Sequence, residues 1–450
     1  MDWDNKLIEK YNINGPRYTS YPTALALSPD FELDNIAVAL GQSAAELSLY
    51  IHIPFCQKLC YYCGCNKVIT KHQHKADIYL DNLDLEMTMY APLLKTKVIN
   101  QLHLGGGTPT FLTEVQLSRL MAMVQQYFKL TADAEISIEI DPRSCSDQKL
   151  AHLRQLGFNR VSYGVQDLDE KVQIAINRVQ DTDLIRRQVA LSKQLGFSSI
   201  NLDLIYGLPF QHVESFGQTL KEIIKLSPDR ISLFSYAHLP DRFAAQRKLD
   251  NDSLPTAATK LELQQLGISA FVDAGYQFIG MDHFAKPKDS LAKAQQAGKL
   301  QRNFQGYTTA GQDALVGLGV SSISQVNGVL WQNSKVVTDY YQALEQGTYP
   351  VERGFSLNAD DKLRAALISQ LICHFELDIK QFCANWQLTD FWHYFADAKQ
   401  KLSPFIEDAL VEVHPDKLVV TQAGRLWVRS ICACFDAYLN KGQQRYSKVV

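Results

Sequence analysis

Short apolar segments rich in β-branched residues alternate with helical segments between about residues 46 and 240. The apolar segments predict six strands, at 47–53, 101–104, 135–140, 160–165, 198–204 and 230–236. Between the strands, apolar residues recur at helical spacing, as at Tyr79, Leu83, Met87 and Tyr90. This alternation is typical of α/β proteins with a parallel sheet.

Polar residues stand at or near the carboxyl ends of three predicted strands, namely Glu139, Gln166 and Asp203. Barrel enzymes assemble their sites at this end of the strands. The pattern therefore favours a partial (β/α)6 barrel, similar to a TIM barrel, over a doubly wound sheet. Each of these residues taken alone could equally well cap the helix that follows it.

The pattern changes after about residue 350. Leucines at helical spacing predict a helix around Leu367, segments 409–413 and 418–421 predict a hairpin, and a further helix is expected to reach Leu439. These features predict a smaller, mainly helical C-terminal domain with a winged hairpin. The predicted division is an N-terminal arm at 1–45, the barrel with its extension at 46–350 and the C-terminal domain at 351–450.

The chain of 450 residues carries 45 basic and 48 acidic side chains, a formal net charge of −3. No dense run of Lys and Arg marks a nucleic-acid or membrane surface. No run of about 18 apolar residues occurs, and the first residues lack the apolar core of a secretory signal. We therefore expect a cytoplasmic monomer without nucleic-acid or membrane partners.

Four of the nine cysteines, Cys56, Cys60, Cys63 and Cys65, fall within ten residues after the first predicted strand. The spacing C-x3-C-x2-C lets three thiolates surround one compact inorganic core. In a four-iron cubane, three such ligands leave one iron open to bind a small molecule. The first three cysteines are therefore the predicted ligands of a [4Fe-4S] cluster. The other five are scattered and fit small buried hydrophobic positions.

Zinc is the main alternative occupant, because Cys60-x2-Cys63 is also a zinc-knuckle spacing. A structural zinc site normally needs a second ligand pair further along, and the following stretch offers only His72 and His74. Cys65 could complete a set of four cysteines. Its one-residue separation from Cys63 would place the two side chains on opposite sides of an extended backbone, so we do not expect Cys65 to be a ligand.

Three consecutive glycines, Gly105 to Gly107, follow the second predicted strand and precede Thr108. Glycines let a backbone approach a ligand closely, although such a segment alone is more often only a turn. With the cysteine loop one strand–helix unit earlier, the chain resembles the radical S-adenosylmethionine (SAM) enzymes. The resemblance implies a barrel of the radical SAM type, in which SAM bound at the open iron yields a 5′-deoxyadenosyl radical after one-electron reduction.

Segments across nearly the whole chain narrow this resemblance to one family of radical SAM enzymes. They are GPRYTSYP at 15–22, the cysteine loop through Cys65, GVQD at 164–167, NLDLIYGLP at 201–209, YAHLP at 236–240, GMDHFA at 280–285, QGYTT at 305–309 and the segment 425–439. Together they resemble the oxygen-independent coproporphyrinogen III dehydrogenases, also called oxidases.

The resemblance implies roles for the residues at matching positions. Cys56, Cys60 and Cys63 would hold the cluster, with Tyr62 beside it. Two SAM molecules are expected, and Gln305 is a candidate contact for the second. The positions expected to contact SAM are Tyr50, Gly106, Gly107, Thr108, Glu139, Gln166, Arg178, Asp203, Ala237, Gln305 and Ile323. Chemically, a carboxylate such as Asp203 suits ribose hydroxyls, and Arg178 suits a carboxylate.

The implied reaction is oxidative decarboxylation of two propionates of coproporphyrinogen III to vinyl groups, giving protoporphyrinogen IX in anaerobic haem biosynthesis. The radical would take hydrogen from the propionate β-carbon, carbon dioxide would leave, and an external acceptor would take one electron. A reductant protein such as a flavodoxin-type donor is expected. The carboxylates of the substrate need local cations. Arg17 is the first candidate, although it could equally tether the N-terminal arm at the surface.

Haem-handling relatives of the same fold, a haem chaperone or a haem-degrading enzyme, are the alternative function. The chaperone type usually lacks a counterpart of Cys65 and of the 15–22 segment, and this chain has both. A structural iron–sulfur or zinc protein is a further alternative. Two residues depart from the family pattern and could mark a paralogue with altered activity. They are Tyr62, usually phenylalanine, and Tyr163, more commonly methionine or leucine.

Overall fold

The computed structural model describes residues 5–11, 15–311 and 313–439. The outermost parts of the predicted domains at 1–45 and 351–450 therefore lie outside the described residues. Within these ranges, no helix combines the length and the apolar character that crossing a membrane requires.

One twelve-stranded sheet organises the fold. In chain order its strands are β1 (Glu46–Ile53), β2 (Val98–Gly106), β3 (Leu130–Ile140), β4 (Arg160–Gln166), β5 (Ser199–Tyr206), β6 (Arg230–Ser235), β7 (Gln277–Gly280), β8 (His283–Ala285), β9 (Ala314–Leu318), β10 (Ile323–Val326), β11 (Val329–Asn333) and β12 (Val351–Ser356). Their spatial order is β12-β11-β10-β9-β1-β2-β3-β4-β5-β6-β8-β7. The two outermost strands, β12 and β7, do not pair with each other, so the barrel is open.

The six predicted strands form the parallel run β1 to β6, and β9 adds a seventh parallel strand beside β1. The remaining strands attach antiparallel at the two edges. Side chains from β2 through β6 line one common cavity, which requires the sheet to curve around it. The predicted partial α/β barrel is confirmed. The sheet continues through β12, which begins at Val351 and pairs with β11.

Amphipathic helices cover the sheet, each with an apolar face toward the strands. The longest, His74–Leu94, buries Tyr79, Leu83, Met87 and Tyr90, the face predicted from their spacing. The helices before residue 350 are Asn5–Tyr11, Asp34–Gln42, His74–Leu94, Glu114–Tyr127, Asp147–Gln155, Glu170–Ala175, Thr182–Gln194, Val213–Leu226, Ala257–Asp273, Ser290–Gln296 and Val337–Glu345.

The C-terminal part is mainly helical, with a small three-stranded sheet. The predicted hairpin is present as Val411–Val413 and Lys417–Val420, and Glu376–Asp378 pairs with its second strand. The helices here are Ala359–His374, Ile379–Trp386, Phe391–Tyr394, Ala396–Glu407 and Val428–Ala433.

The prediction that the last helix reaches Leu439 is wrong, because it ends at Ala433. The residues after it bend to bond the N-terminal arm. Tyr18 Oη donates to Asp436 Oδ2 at 2.9 Å, and the backbone N–H of Ala437 donates to Tyr21 Oη at 3.1 Å. These tertiary bonds replace the last turns of the helix.

Candidate active site

A cavity of about 170 Å³, called the thiol cavity below, lies at the carboxyl ends of β2 to β5. Three parts of the chain meet here. They are the cysteine loop at 56–65 after β1, the glycine turn at 105–107 at the end of β2, and the polar residues that end the next strands. The predicted site residues that line it are Cys56, Cys60, Tyr62, Cys63, Gly106, Gly107, Thr108, Glu139, Gln166, Arg178 and Asp203. Residues far apart in the chain are thereby brought together at the carboxyl ends of the strands.

The other predicted site residues lie nearby. Tyr50 packs against the glycine turn, since a Cβ on Gly105 would come within 3.0 Å of its ring. Gln305 lines the barrel-interior cavity, of about 250 Å³, which shares Glu139, Ser162 and Asp203 with the thiol cavity. Ala237 and Arg17 line a third cavity. Ile323 begins β10, where its carbonyl oxygen would lie 2.7 Å from a Cβ on Gly317.

Hydrogen-bond donors point at two of the three predicted ligand sulfurs. Thr108 Oγ1 donates to Cys56 Sγ at 3.3 Å. Cys60 Sγ accepts from Arg143 Nη2 and from Arg178 Nη1, each at 3.5 Å. Donors and cations beside a sulfur favour its thiolate, which is the form that binds metal. Burial acts the other way and outweighs the Thr108 hydrogen bond, so that the pKa of Cys56 is raised to about 11.

Cys65 lies in the same cavity as the other three cysteines. The expectation that Cys63 and Cys65 point to opposite sides is wrong, because the backbone here is a bent loop rather than an extended strand. A hydrogen bond from the Cys65 thiol, together with the charge of Lys67, lowers the pKa of Cys63 to about 6. Ligation by Cys56, Cys60 and Cys63 alone stays a prediction.

The cysteines do not converge on a single point. In the part of the chain that the structure describes, no three His, Cys, Asp or Glu side chains are arranged to hold one metal ion. A cubane attaches its ligands to different irons, so its thiolates stand further apart than those of a single zinc ion.

Asp141 and Arg143, which the sequence analysis did not identify, complete the environment of Cys60. Asp141 Oδ2 accepts from Arg143 Nη2 at 2.7 Å and from Arg178 Nη1 at 3.1 Å. Burial raises the pKa of Asp141, but the two arginines outweigh it and hold the pKa below its usual range. Arg178 Nη2 also donates to the carbonyl of Gly164 at 2.6 Å. These bonds fix Arg178 between the cysteine loop and β4.

The glycine turn lies flush against the cysteine loop. A Cβ on Gly107 would come within 2.6 Å of the Pro54 carbonyl oxygen, and Gly106 has a φ of +115°, which favours glycine. The backbone N–H of Gly106 donates to Glu139 Oε2 at 3.1 Å. Only a backbone without side chains fits between the loop and β3.

Asp203 is a carboxylate of the thiol cavity that its neighbours hold in place. Its oxygens accept from Asn201 Nδ2 at 2.7 Å and from Ser162 Oγ at 3.0 Å. Burial, with the nearby charge of Glu139, raises the pKa of Asp203 to about 6. The side chain is therefore oriented by its neighbours and titrates near neutral pH.

Tyr163, one of the two departures from the family pattern, faces the helical layer. Its buried hydroxyl lies 2.7 Å from Ser192 Oγ. We expect Tyr163→Phe to lower the free energy of unfolding by about 1 kcal/mol, because one buried hydrogen bond is lost. Denaturant titration measures this loss. SAM cleavage should stay at the wild-type rate, and a slower rate would show that Tyr163 acts on the site.

Two parts of the chain match known families. Residues 50–223 match the Radical SAM superfamily, and residues 357–427 match the HemN C-terminal domain. The oxygen-independent coproporphyrinogen III oxidase of Salmonella typhimurium is 51% identical across 100% of this chain and 99% of its own length. The chain belongs to the oxygen-independent coproporphyrinogen III oxidase family.

Further coproporphyrinogen III oxidases show the same relationship. The Escherichia coli protein is 50% identical over 100% of this chain and 99% of its own length, and the Pseudomonas aeruginosa protein is 48% identical over the same shares. A solved structure, coproporphyrinogen III oxidase (HemN) from Escherichia coli, described as a radical SAM enzyme, superposes with a TM-score of 0.93. It is 49% identical and covers 97% of this chain and 99% of its own.

Membership in this radical SAM family implies a [4Fe-4S] cluster and SAM, and the residues present fit both. Three thiols line one cavity, with donors aimed at Cys56 and Cys60. The tight glycine turn presents backbone to the same cavity. Polar side chains that include Asp203 complete its wall, as an amino acid and a ribose require.

Proposed function

We propose that this chain converts two propionate side chains of coproporphyrinogen III to vinyl groups, giving protoporphyrinogen IX. The observation that carries this proposal is the full-length relationship to the named oxidases, combined with three thiols in one cavity at the carboxyl ends of the strands. When bound, the reduced cluster and SAM supply an electron and a radical that abstracts hydrogen from the propionate. Carbon dioxide then leaves, and an external acceptor takes one electron.

The residues of the chain bind and orient the reactants. Cys56, Cys60 and Cys63 hold the cluster, and Arg178 offers its guanidinium to the SAM carboxylate. Asp203, fixed by Ser162 and Asn201, accepts hydrogen bonds from ribose hydroxyls. The enclosing walls limit access of water and oxygen to the reacting atoms.

A second SAM molecule has a place in this proposal. The barrel-interior cavity of about 250 Å³ contains Gln305 and joins the thiol cavity along Glu139 and Asp203. A cofactor there would approach the first molecule across these two carboxylates. Isothermal titration of the reconstituted protein would count the SAM molecules bound.

Lys58 and Lys67 line the thiol cavity and place positive charge beside the cluster loop. Such charge suits an acidic reductant protein of the flavodoxin type. We propose a monomeric enzyme that works in the cytoplasm.

Anaerobic turnover tests the proposed reaction. The reconstituted protein is supplied with coproporphyrinogen III, SAM and a reductant, and the products are separated by chromatography. We expect the divinyl product together with 5′-deoxyadenosine. Transfer of added haem without consumption of SAM would contradict the proposal and favour a haem chaperone.

The binding of SAM should depend on pH through Asp203. Its pKa lies near 6, so the carboxylate is neutral below that pH and negative above it. Because SAM carries a sulfonium charge, affinity should rise as pH increases through about 6 and then level off. Titrations from pH 5 to 8 measure the effect. Asp203→Asn should bind more weakly above pH 7 and lose the step, and an unchanged step would exclude Asp203 as its source.

A further inference from the structure

A cavity of about 300 Å³, called the arginine cavity below, lies between the N-terminal arm, the barrel and the C-terminal domain. Arg17 enters it from the arm and Tyr206 from the end of β5, while Arg425 and Arg429 enter from the C-terminal domain. It shares no lining residue with the thiol cavity. The cluster therefore does not account for it, and of the predicted SAM contacts only Ala237 lies in its described lining.

Positive charge dominates the arginine cavity. Arg17, Arg425, Arg429 and Lys260 line it, and Asp282 is the one carboxylate among its described lining residues. Asp282 pairs with Arg17. The lining therefore holds four cations and one anion, an excess that is unfavourable in a partly enclosed space.

Arg17 and Arg429 are tied to each other through the arm. Arg429 Nε donates to the carbonyl of Pro16 at 2.9 Å, and its Nη2 donates to the carbonyl of Gly15. These bonds fix the segment that carries Arg17. Burial, and repulsion from Arg429 and Arg302, lower the pKa of Arg17 to about 9. An anion in this cavity would relieve that repulsion.

Arg425 is the guanidinium with the fewest polar contacts in the cavity. Its Nε is buried and has no hydrogen-bond partner among the residues that the structure describes. The guanidinium lies 4.6 Å from the centre of the Phe375 ring, within the range of a cation–π contact. Burial lowers the pKa of Arg425 without a carboxylate to offset it. A guanidinium that lines a cavity without a carboxylate partner is suited to pair with a carboxylate of a ligand through two parallel bonds.

The other walls of the cavity show what kind of molecule would carry the carboxylates. Phe278, Met281, Leu426 and Val428 contribute apolar surface beside the cations. A small inorganic anion would leave this surface unused. A large apolar body that carries several carboxylates would use both parts of the lining.

We propose that the arginine cavity binds the carboxylates of those substrate propionates that do not react, with Arg425 as a specificity-determining residue. This inference rests on the proposed function, since it takes the porphyrinogen as the ligand. A volume of about 300 Å³ is at the small end of ligand pockets, which suits one edge of a tetrapyrrole.

The position of the arginine cavity beside the cluster loop fits this role. Gln246 Nε2 donates to the carbonyl of Ala237, in the cavity lining, at 3.2 Å and to the carbonyl of Tyr62, in the cluster loop, at 3.1 Å. Gln246 therefore links the lining of one cavity to that of the other. A substrate held in the arginine cavity would lie beside the cluster loop.

Binding of coproporphyrin III, the oxidised and unreactive macrocycle, tests this inference on the full reconstituted chain. Its tetramethyl ester, measured in the same dilute detergent, has the same ring system without the charges. Fluorescence titrations compare wild type, Arg425→Met and Arg425→Lys. Arg119→Gln serves as the control, because Arg119 also pairs with a carboxylate, Asp81, but lies outside the arginine cavity.

We expect R425M to bind the tetra-acid about 10- to 100-fold more weakly than wild type, the loss that corresponds to one charge-assisted pair. R425K, which keeps the charge but not the planar fork, should lose less. The ester should bind all variants equally, and R119Q should match wild type with both ligands. In turnover, R425M should raise KM for coproporphyrinogen III while SAM cleavage without substrate stays unchanged.

Failure of this inference is distinguishable from failure of the proposed function. Wild-type turnover combined with unchanged affinity of R425M and R425K for the tetra-acid would overturn the arginine cavity alone. Absence of the divinyl product in wild type would overturn the proposed function. If R425M does not fold, R425K decides, because it keeps an extended cationic side chain at the same position.

Discussion

Replacement of Cys63 by alanine is expected to lower reductive cleavage of SAM by at least about 1,000-fold, the scale seen when an indispensable catalytic group is removed. Cys63 is one of three thiols proposed to hold the cluster, and its pKa of about 6 favours the thiolate at neutral pH. Two remaining cysteines of that set cannot hold a cubane at three corners. Iron and acid-labile sulfide should fall together with the formation of 5′-deoxyadenosine.

Cys383→Ala is the matched control, because Cys383 is a half-buried cysteine in helix Ile379–Trp386, outside the cavities described above. This variant should keep wild-type iron, sulfide and activity. Cys65→Ala completes the set, since Cys65 shares the thiol cavity. Full cluster content in C63A would contradict the three-cysteine assignment, and loss of the cluster in C65A would add Cys65 to the ligands.

Replacement of Arg178 by glutamine should have the second largest effect. The variant leaves buried Asp141 with Arg143 as its remaining cation and removes a donor from Cys60. We expect the free energy of unfolding to fall by about 3 kcal/mol, because a buried ion pair loses one partner. Because Arg178 also bonds the cysteine loop, its loss should displace the SAM site and lower kcat/KM for SAM about 100-fold. Denaturant titration and steady-state SAM cleavage measure the two effects.

The same variant should change the response of the fold to acid. The pKa of Asp141 is depressed in the folded protein, so its stabilising contribution is present above the ordinary aspartate pKa and is lost as pH falls through the folded value. Without Arg178 that pKa rises, and acid unfolding should begin at higher pH. R178K keeps a cation at this position, so it should recover part of the lost stability and part of the resistance to acid. Equal acid unfolding of wild type and R178Q would show that Arg178 does not set this pKa.

The parallel half of the fold was predictable because its signals are local. Strands β1 to β6 carry buried apolar residues at nearly every second position, and helices with one apolar face separate them. The edge strands were not predicted. β7, β8, β10 and β11 have only three to five residues each, too few to show a period, and their pairing depends on distant partners. The helix expected to reach Leu439 failed for a related reason, since bonds to Tyr18 and Tyr21 cannot be read from local pattern.

The candidate site also has a part that the sequence predicts and a part that it does not. Cys56, Cys60 and Cys63 carry their own spacing signal, and Glu139 and Asp203 stand out as polar residues in apolar strands. Asp141 and Arg143 follow β3 directly and could have been proposed from that position. The arginine cavity could not, because it combines Arg17 with Arg425 across the whole chain. Only the folded structure shows that the arm and the C-terminal domain meet there.

In the proposed reaction, the radical formed from SAM at the three-cysteine cluster would take hydrogen from a propionate of the porphyrinogen. The most direct measurement uses coproporphyrinogen III deuterated at the propionate β-carbons, in single anaerobic turnovers analysed by mass spectrometry. Deuterium is expected to appear in 5′-deoxyadenosine as the vinyl groups form. Vinyl formation accompanied by unlabelled 5′-deoxyadenosine would contradict the proposed reaction.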